Sequence, residues 1–97
     1  MQKVTQARNR ICPLLDELIV LLDTEGSATQ KAHFNRIRGR IYQATDPWEL
    51  TDPIIDLSSS AAMGFRFSET ADALVNRILQ KASSLADELA GVDPPLH

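Results

Sequence analysis

The feature that most constrains this fold is the spacing of the apolar residues, which recur every three or four positions through most of the chain. This spacing places apolar side chains along one face of an α-helix. No period-two run and no Asn-Gly hairpin signal, either of which would indicate strands, is found in the sequence. The sequence therefore predicts an all-α fold. The stripe is clearest near the start of the chain, at Val4, Ala7, Ile11, Leu14, Leu18 and Leu21.

The first half of the chain predicts two helices that pack against each other. The first covers roughly residues 3–23 and ends at Gly26 in the left-handed conformation. We interpret it as one helix kinked at Pro13 in preference to two helices, and the alternative that Pro13 starts a helix stays open. The second begins at Ser27, which forms a capping box with Gln30. Because the connection is short, the two helices are expected to be antiparallel.

The second predicted helix separates apolar from basic residues. Its apolar face consists of Phe34, Ile37, Ile41 and Ala44. Its basic residues, which lie off that face, are Lys31, Arg36, Arg38 and Arg40. We interpret them as a solvated surface, partly paired with acidic residues of neighbouring segments.

The middle of the chain contains the same helix-start signal twice. Asp46-Pro47 and Asp52-Pro53 each combine an N-cap carboxylate with proline at the first helical position. The first pair predicts a single turn, and the second predicts a helix that ends or bends at Gly64. The apolar residues of these two elements are Trp48 and Leu50 in the turn, and Ile54, Leu57, Ala61 and Met63 in the helix.

The last helix is predicted to begin at Ser68 or Thr70 and to end at Gly91, and residues 92–97 are expected to form a flexible tail. Its apolar stripe is Ala71, Leu74, Ile78, Ala82, Leu85 and Leu89. Residues 1–97 are therefore predicted to fold as one domain, a compact four-helix bundle.

Composition excludes several classes of function. The single cysteine, Cys12, allows no internal disulfide, and one cysteine with two distant histidines cannot form a Cys/His zinc site. The longest apolar run, Leu18 to Leu22, is five residues, against about 20 for a membrane span. The chain carries a net charge of −3, which disfavours nucleic acid as a partner. With no enzyme motif and no secretory signal, we predict a cytoplasmic, non-catalytic protein that needs no cofactor or metal.

One acidic segment surrounds the only tryptophan. We call Asp46, Trp48, Glu49, Asp52 and Asp56 the acidic tryptophan segment. One interpretation assigns two of the acids to helix caps and makes the indole a lid on the bundle. The other makes the segment a partner surface, because tryptophan is enriched at interface hot spots and the carboxylates would attract a basic protein. Both can hold at once.

A stretch near the start of the last helix carries a family resemblance. It reads F-x-E-T-x-x-x-L from Phe67 to Leu74, and it follows a small-residue helix (58–64) and an Ile37-Arg38 helix. Across roughly residues 35–80 this order resembles small helical immunity proteins of type VI secretion systems, whose cognate effectors hydrolyse NAD(P)⁺. The resemblance implies a bacterial, cytoplasmic protein that binds a protein toxin and occludes its active site. It carries over no specific binding residue.

Two alternatives remain open. A histidine on the second helix of a four-helix bundle resembles histidine phosphotransfer domains, with Arg36 near His33 as the cation; Gly39 lies too far along for that pattern, and His33 borders the apolar face. The other alternative is a self-association module, because the first helix has more apolar residues than one seam needs and could form a homodimer. These residues are Leu14, Leu15, Leu18, Ile19, Val20, Leu21 and Leu22.

Overall fold

The computed structural model describes residues 2–89, without the side chains of residues 2, 3 and 61. Within this range there is no strand. The helices are α1 (Gln2–Arg10), α2 (Cys12–Thr24), α3 (Ala28–Gln43), α4 (Thr51–Ser59) and α5 (Glu69–Leu89), with 3₁₀ turns at Pro47–Leu50 and Ser60–Ala62. The prediction of an all-α four-helix bundle is confirmed, with α1 and α2 together supplying one of its four segments. The predicted helix end at Gly91, the tail 92–97 and the packing of Ala61 lie outside the described residues.

The first segment is two helices, so the prediction of one helix over 3–23 is wrong on this point. Ile11 separates α1 from α2, and Pro13 lies in the first turn of α2, where an amide hydrogen would have no helical partner. Backbone hydrogen bonds still cross the break, from the Ile11 amide to the Ala7 carbonyl and from the Leu15 amide to the Ile11 carbonyl, both 2.9 Å. The apolar stripe therefore keeps its phase across the break.

The turn between α2 and α3 is closed by backbone geometry rather than by a side-chain cap. Gly26 has φ +75°, as predicted, and the amide of Ser27 donates to the Leu22 carbonyl at 2.9 Å in a Schellman motif. Ser27 is the N-cap of α3, but its side chain makes no capping hydrogen bond. Gln30 Nε2 instead donates to the Arg66 carbonyl at 2.9 Å. The predicted capping box is thus wrong, because a tertiary contact takes the Gln30 side chain.

Helix α3 packs antiparallel to α2, and two ion pairs mark the direction. Lys31 Nζ lies 2.8 Å from Asp23 Oδ1, and further along α3, Arg38 Nε lies 2.7 Å from Asp16 Oδ1. As the α3 partner advances, the α2 partner recedes, which confirms the predicted pairing. The predicted apolar residues of this face, Phe34, Ile37, Ile41 and Ala44, are all buried.

The middle segment begins as predicted and then departs from the prediction. Asp46 is the N-cap of the 3₁₀ turn Pro47–Leu50. That turn continues directly into α4, because the Thr51 amide donates to the Trp48 carbonyl. Helix α4 therefore begins at Thr51, and Asp52 lies inside its first turn instead of capping it. Ile54 and Leu57 are buried as predicted, whereas Met63 is exposed.

Helix α5 begins after Ser68, whose Oγ accepts a hydrogen bond from the Ala71 amide at 3.2 Å. Thr70 lies inside the helix. Val75 is buried, whereas Leu74, predicted for the stripe, is only half-buried at its edge. The other predicted positions, Ala71, Ile78, Ala82, Leu85 and Leu89, are buried.

An aromatic cluster, which the sequence pattern did not predict, joins α3 to the segment before α5. The Phe34 ring centroid lies 6.4 Å from that of Phe65 and 6.1 Å from that of Phe67. The His33 ring meets Phe34 edge-on at 5.0 Å and Phe65 at 5.4 Å. Together with the Gln30 contact to Arg66, this cluster holds the connection from Gly64 to α5 against α3.

Candidate functional site: an acidic groove around Trp48

Part of the acidic tryptophan segment lines an open groove of about 610 Å³. The groove lies where the end of α3 meets the 3₁₀ turn and the start of α4. Its lining residues are Arg40, Gln43, Ala44, Trp48, Glu49, Thr51 and Asp52. We call it the tryptophan groove. Of the five residues singled out from the sequence, Trp48, Glu49 and Asp52 line it directly; Asp46 and Asp56 do not.

Trp48 is half-buried, an exposure that is compatible with both interpretations of this residue. Leu50 in the same turn is fully buried, and Ala44 at the end of α3 is 2% exposed. These two residues anchor the turn to the core. The indole closes this end of the bundle while keeping part of its surface accessible, as an interface anchor requires.

Glu49 is held by a dense local hydrogen-bond set. Its Oε1 accepts from the Thr45 hydroxyl at 2.8 Å, from the Asp46 amide at 3.0 Å and from the Thr45 amide at 3.1 Å. The Thr45 hydroxyl bond first, and then the two amides, lower the pKa of the Glu49 carboxyl below its usual value. Glu49 thus bears a fixed negative charge beside Trp48.

Arg40 lines the groove, and sequence reasoning did not place it among the candidate site residues. Its Nη1 lies 2.9 Å from Asp56 Oδ2, and its Nη2 lies 3.6 Å from Asp52 Oδ2. The alternation of basic and apolar positions placed Arg40 off the core face, but it did not show which acids it would meet. All three side chains are solvent-accessible, so these pairs contribute little to folding, about 0–1 kcal/mol.

The groove region remains acidic after this pairing. Its four carboxylates, at Asp46, Glu49, Asp52 and Asp56, lie near two guanidiniums: that of Arg40, and that of Arg8, whose Nη2 donates to the Ala44 carbonyl at 2.8 Å. This leaves two net negative charges. Asp46 is exposed at the N-cap of the turn, and Asp56 lies further along α4. The expected pairing of the basic helix face is also observed at Lys31 and Arg38.

His33 occupies a packing position on α3. Ser60 is buried and its hydroxyl donates to the Asp56 carbonyl at 2.9 Å. The 2.8 Å contact between His33 Nε2 and Ser60 Oγ is therefore best satisfied with the proton on Nε2. Partial burial, and secondarily the charge of Arg36, lower the pKa of His33 from its ordinary value of 6.5. The imidazole thus packs against the Phe34 and Phe65 rings and hydrogen-bonds to Ser60.

Cys12 is buried. Burial raises the pKa of its thiol, with a smaller opposing effect from Arg38. A thiol in this state is a poor nucleophile. It acts as a small apolar side chain between α1 and the rest of α2.

Comparison with known proteins returns no relative. No family model matches the chain, and no curated protein or solved structure is significantly similar to it. None of the described helices is long and apolar enough to cross a bilayer. Across residues 2–89, no three His, Cys, Asp or Glu side chains are grouped to hold a metal ion. The fold and the groove define an all-α four-helix bundle that presents a tryptophan among carboxylates.

Proposed function

We propose that this protein is an immunity or antitoxin-like inhibitor, which binds a cognate protein toxin through the tryptophan groove and occludes the toxin's active site. The observation that carries the proposal is a partly accessible Trp48 in an open groove with two net negative charges around it. Such an inhibitor needs binding chemistry alone. Its effect comes from covering a surface of the partner.

The chemistry of the groove suits a basic partner cleft. An aromatic side chain that is already held by the fold loses little entropy on binding, which is why tryptophan supplies much of the energy at interfaces. Carboxylates around it accelerate encounter with positive charge and suppress binding to acidic surfaces. Clefts that bind phosphate-bearing substrates, such as NAD(P)⁺, carry positive charge. A toxin domain that hydrolyses such a substrate therefore fits this surface.

The resemblance to type VI secretion immunity proteins agrees with this proposal but does not carry it. Its sharpest part, from Phe67 to Leu74, has local structural explanations: Phe67 belongs to the aromatic cluster, and Ser68 caps α5. Packing and capping alone would select such residues. The proposal therefore depends on the tryptophan groove and on its charge.

The test of the inhibitor function is co-expression with the product of the neighbouring gene. That product is expressed in bacteria with and without this chain, survivors are counted, and the two purified proteins are tested for a complex. We expect survival only in the co-expressing culture, together with a stable complex. Equal killing in both cultures, or no complex between the purified proteins, would overturn the proposal.

The surface is tested by placing one positive charge at two matched sites. Gln43 is exposed, lines the groove and ends α3, where a cation is favourable for the helix dipole. Gln80 is exposed on α5 outside the groove. We expect Gln43→Lys to weaken toxin binding at least tenfold and Gln80→Lys to leave it unchanged. Equal affinities for the two variants would exclude the tryptophan groove as the interface.

A second variant tests the anchor itself. Trp48→Ala should weaken binding by about 30-fold or more, the range of an interface hot spot at about 2 kcal/mol. Circular dichroism and the melting temperature establish that the variant is folded before its affinity is measured. A folded Trp48→Ala protein with the parental affinity would refute the role of the indole.

A further inference from the structure

A second groove, of about 710 Å³, lies between α2 and α5. Its lining residues are Asp16, Glu17, Val20, Leu21, Thr70, Ala73, Leu74 and Arg77. We call it the α2–α5 groove. It shares no lining residue with the tryptophan groove, so an inference drawn from it is independent of the proposed function.

The α2–α5 groove exposes apolar surface that the bundle leaves uncovered. Val20 is 67% exposed, the highest value among the exposed large hydrophobic residues of the described chain. Leu21 and Leu74 beside it are only half-buried. Of the many apolar residues in the first segment, Val20 and Leu21 are therefore not fully taken into the core. The core does bury Leu14, Leu15, Leu18 and Leu22.

The two walls of the groove carry opposite charges. Glu17 lies on the α2 wall and Arg77 on the α5 wall, and among residues 2–89 neither forms an ion pair. Asp16, also on the α2 wall, is held by Arg38. An external partner of uniform charge would therefore match one wall and be repelled by the other.

The direction of the helices places these charges at the same end of the groove. Ser68 Oγ donates to Glu25 Oε2 at 2.6 Å, which fixes the start of α5 beside the end of α2. From there α5 runs back along α2, because the groove is lined by residues 70–77 of one helix and 16–21 of the other. Glu17 and Arg77 thus lie across the groove from each other at the end away from this contact.

We propose that a second copy of this chain covers the α2–α5 groove about a two-fold axis that runs along it. Such an axis lays α2 of one subunit over α5 of its partner. Glu17 then faces Arg77 of the partner subunit, and the same pair recurs on the other side, as an isologous interface requires. Val20 packs against Ala73 of the partner subunit, where a small side chain leaves room for it.

The first test is the mass of the purified chain across a concentration series in the analytical ultracentrifuge. We expect a monomer–dimer equilibrium with a dissociation constant in the micromolar range, because a groove of this size supports a small interface. Val20→Lys should abolish the dimer. Ile55→Lys, the matched change at another exposed β-branched residue, should leave it intact. A wild-type monomer at every concentration, or a dimer indifferent to Val20→Lys, would overturn the proposal.

Charge exchange tests the two-fold geometry. Glu17→Arg and Arg77→Glu should each weaken the dimer, because each places like charges opposite one another in both pairs. The double variant restores opposite charges and should recover the wild-type association. Both positions are exposed, so the folded state tolerates these changes. Absence of recovery in the folded double variant would refute the pairing of Glu17 with Arg77.

Discussion

Replacing Phe34 should weaken the bundle where α3 meets the connection to α5. Phe34 is 1% exposed, and its ring contacts those of Phe65, Phe67 and His33. Phe34→Leu keeps most of the buried apolar volume but loses the two phenylalanine ring pairs, with Phe65 and Phe67, each worth about 0.5–1.5 kcal/mol beyond its buried area. We therefore expect a loss of about 1–3 kcal/mol for leucine. Phe34→Ala also leaves a cavity and should lose about 3–5 kcal/mol.

These losses are large against the total stability of such a domain. At roughly 0.05–0.15 kcal/mol per residue, a chain of this length has a free energy of unfolding of about 5–15 kcal/mol. Each kcal/mol corresponds to about 4–8 °C in melting temperature. The leucine variant should remain folded with a clearly lowered Tm. The alanine variant should lie near the limit of folding.

The assay is urea unfolding followed by circular dichroism, arranged as a double-mutant cycle with Phe67→Leu. If the two rings stabilise each other directly, the double variant should lose less than the two single losses together, by about 0.5–1.5 kcal/mol. Additivity within about 0.3 kcal/mol would refute direct coupling of the rings. A loss below about 0.5 kcal/mol for Phe34→Leu would refute the cluster's role altogether.

Three further predictions concern titration and backbone. His33 has a lowered pKa, so the unfolded chain binds a proton at this residue more readily than the folded chain does, and stability should fall as pH drops below the ordinary value of 6.5. His33→Asn should flatten this part of the pH profile of stability. A profile that the substitution leaves unchanged would contradict the lowered pKa of His33. Glu49 has a lowered pKa, so its ionised carboxylate should stabilise the fold above the ordinary value of 4.5, and this stabilisation should disappear as pH falls through the folded-state pKa. The stability difference between the wild type and Glu49→Gln should therefore vanish in acid. A difference that persists in acid would refute this contribution of Glu49. Pro13→Ala should change the unfolding free energy by less than about 1 kcal/mol, because Pro13 occupies a first-turn position; a cost near 3 kcal/mol would show that it acts as an interior residue.

The sequence pattern predicted the fold where regular spacing controlled it. The periodic stripes of α2, α3 and α5 fixed the core, because a helix with one apolar face has one way to bury it. The helix breaks near Gly26 and Gly64 were predicted from the glycines themselves. Both residues have positive φ values, a conformation that glycine adopts without steric cost. The start of α4 was missed because Asp52-Pro53 carries a start signal, yet the preceding turn had already begun the helix.

The remaining features depend on contacts between distant segments. Phe65 and Phe67 lie in a connection without periodicity, so nothing local indicates that they pack on Phe34. Gln30 matches the sequence pattern of a capping box, but its side chain donates a hydrogen bond to the Arg66 carbonyl instead. Local rules describe what a residue can do, and tertiary packing decides which of those options is used.

Contacts between distant segments also determine which carboxylates of the acidic tryptophan segment are available to a partner. Sequence counting treats its four acids as equivalent, yet Arg40 lies close to two of them, Asp52 and Asp56. A basic partner must compete with Arg40 for those two. Asp46 and Glu49 carry charge that Arg40 does not neutralise, and Glu49 is held beside Trp48 by the Thr45 and Asp46 hydrogen bonds. Under the proposed function, the partner's cations should therefore bind on the Trp48 side of the groove, and Arg40→Gln should strengthen association by releasing the other two carboxylates.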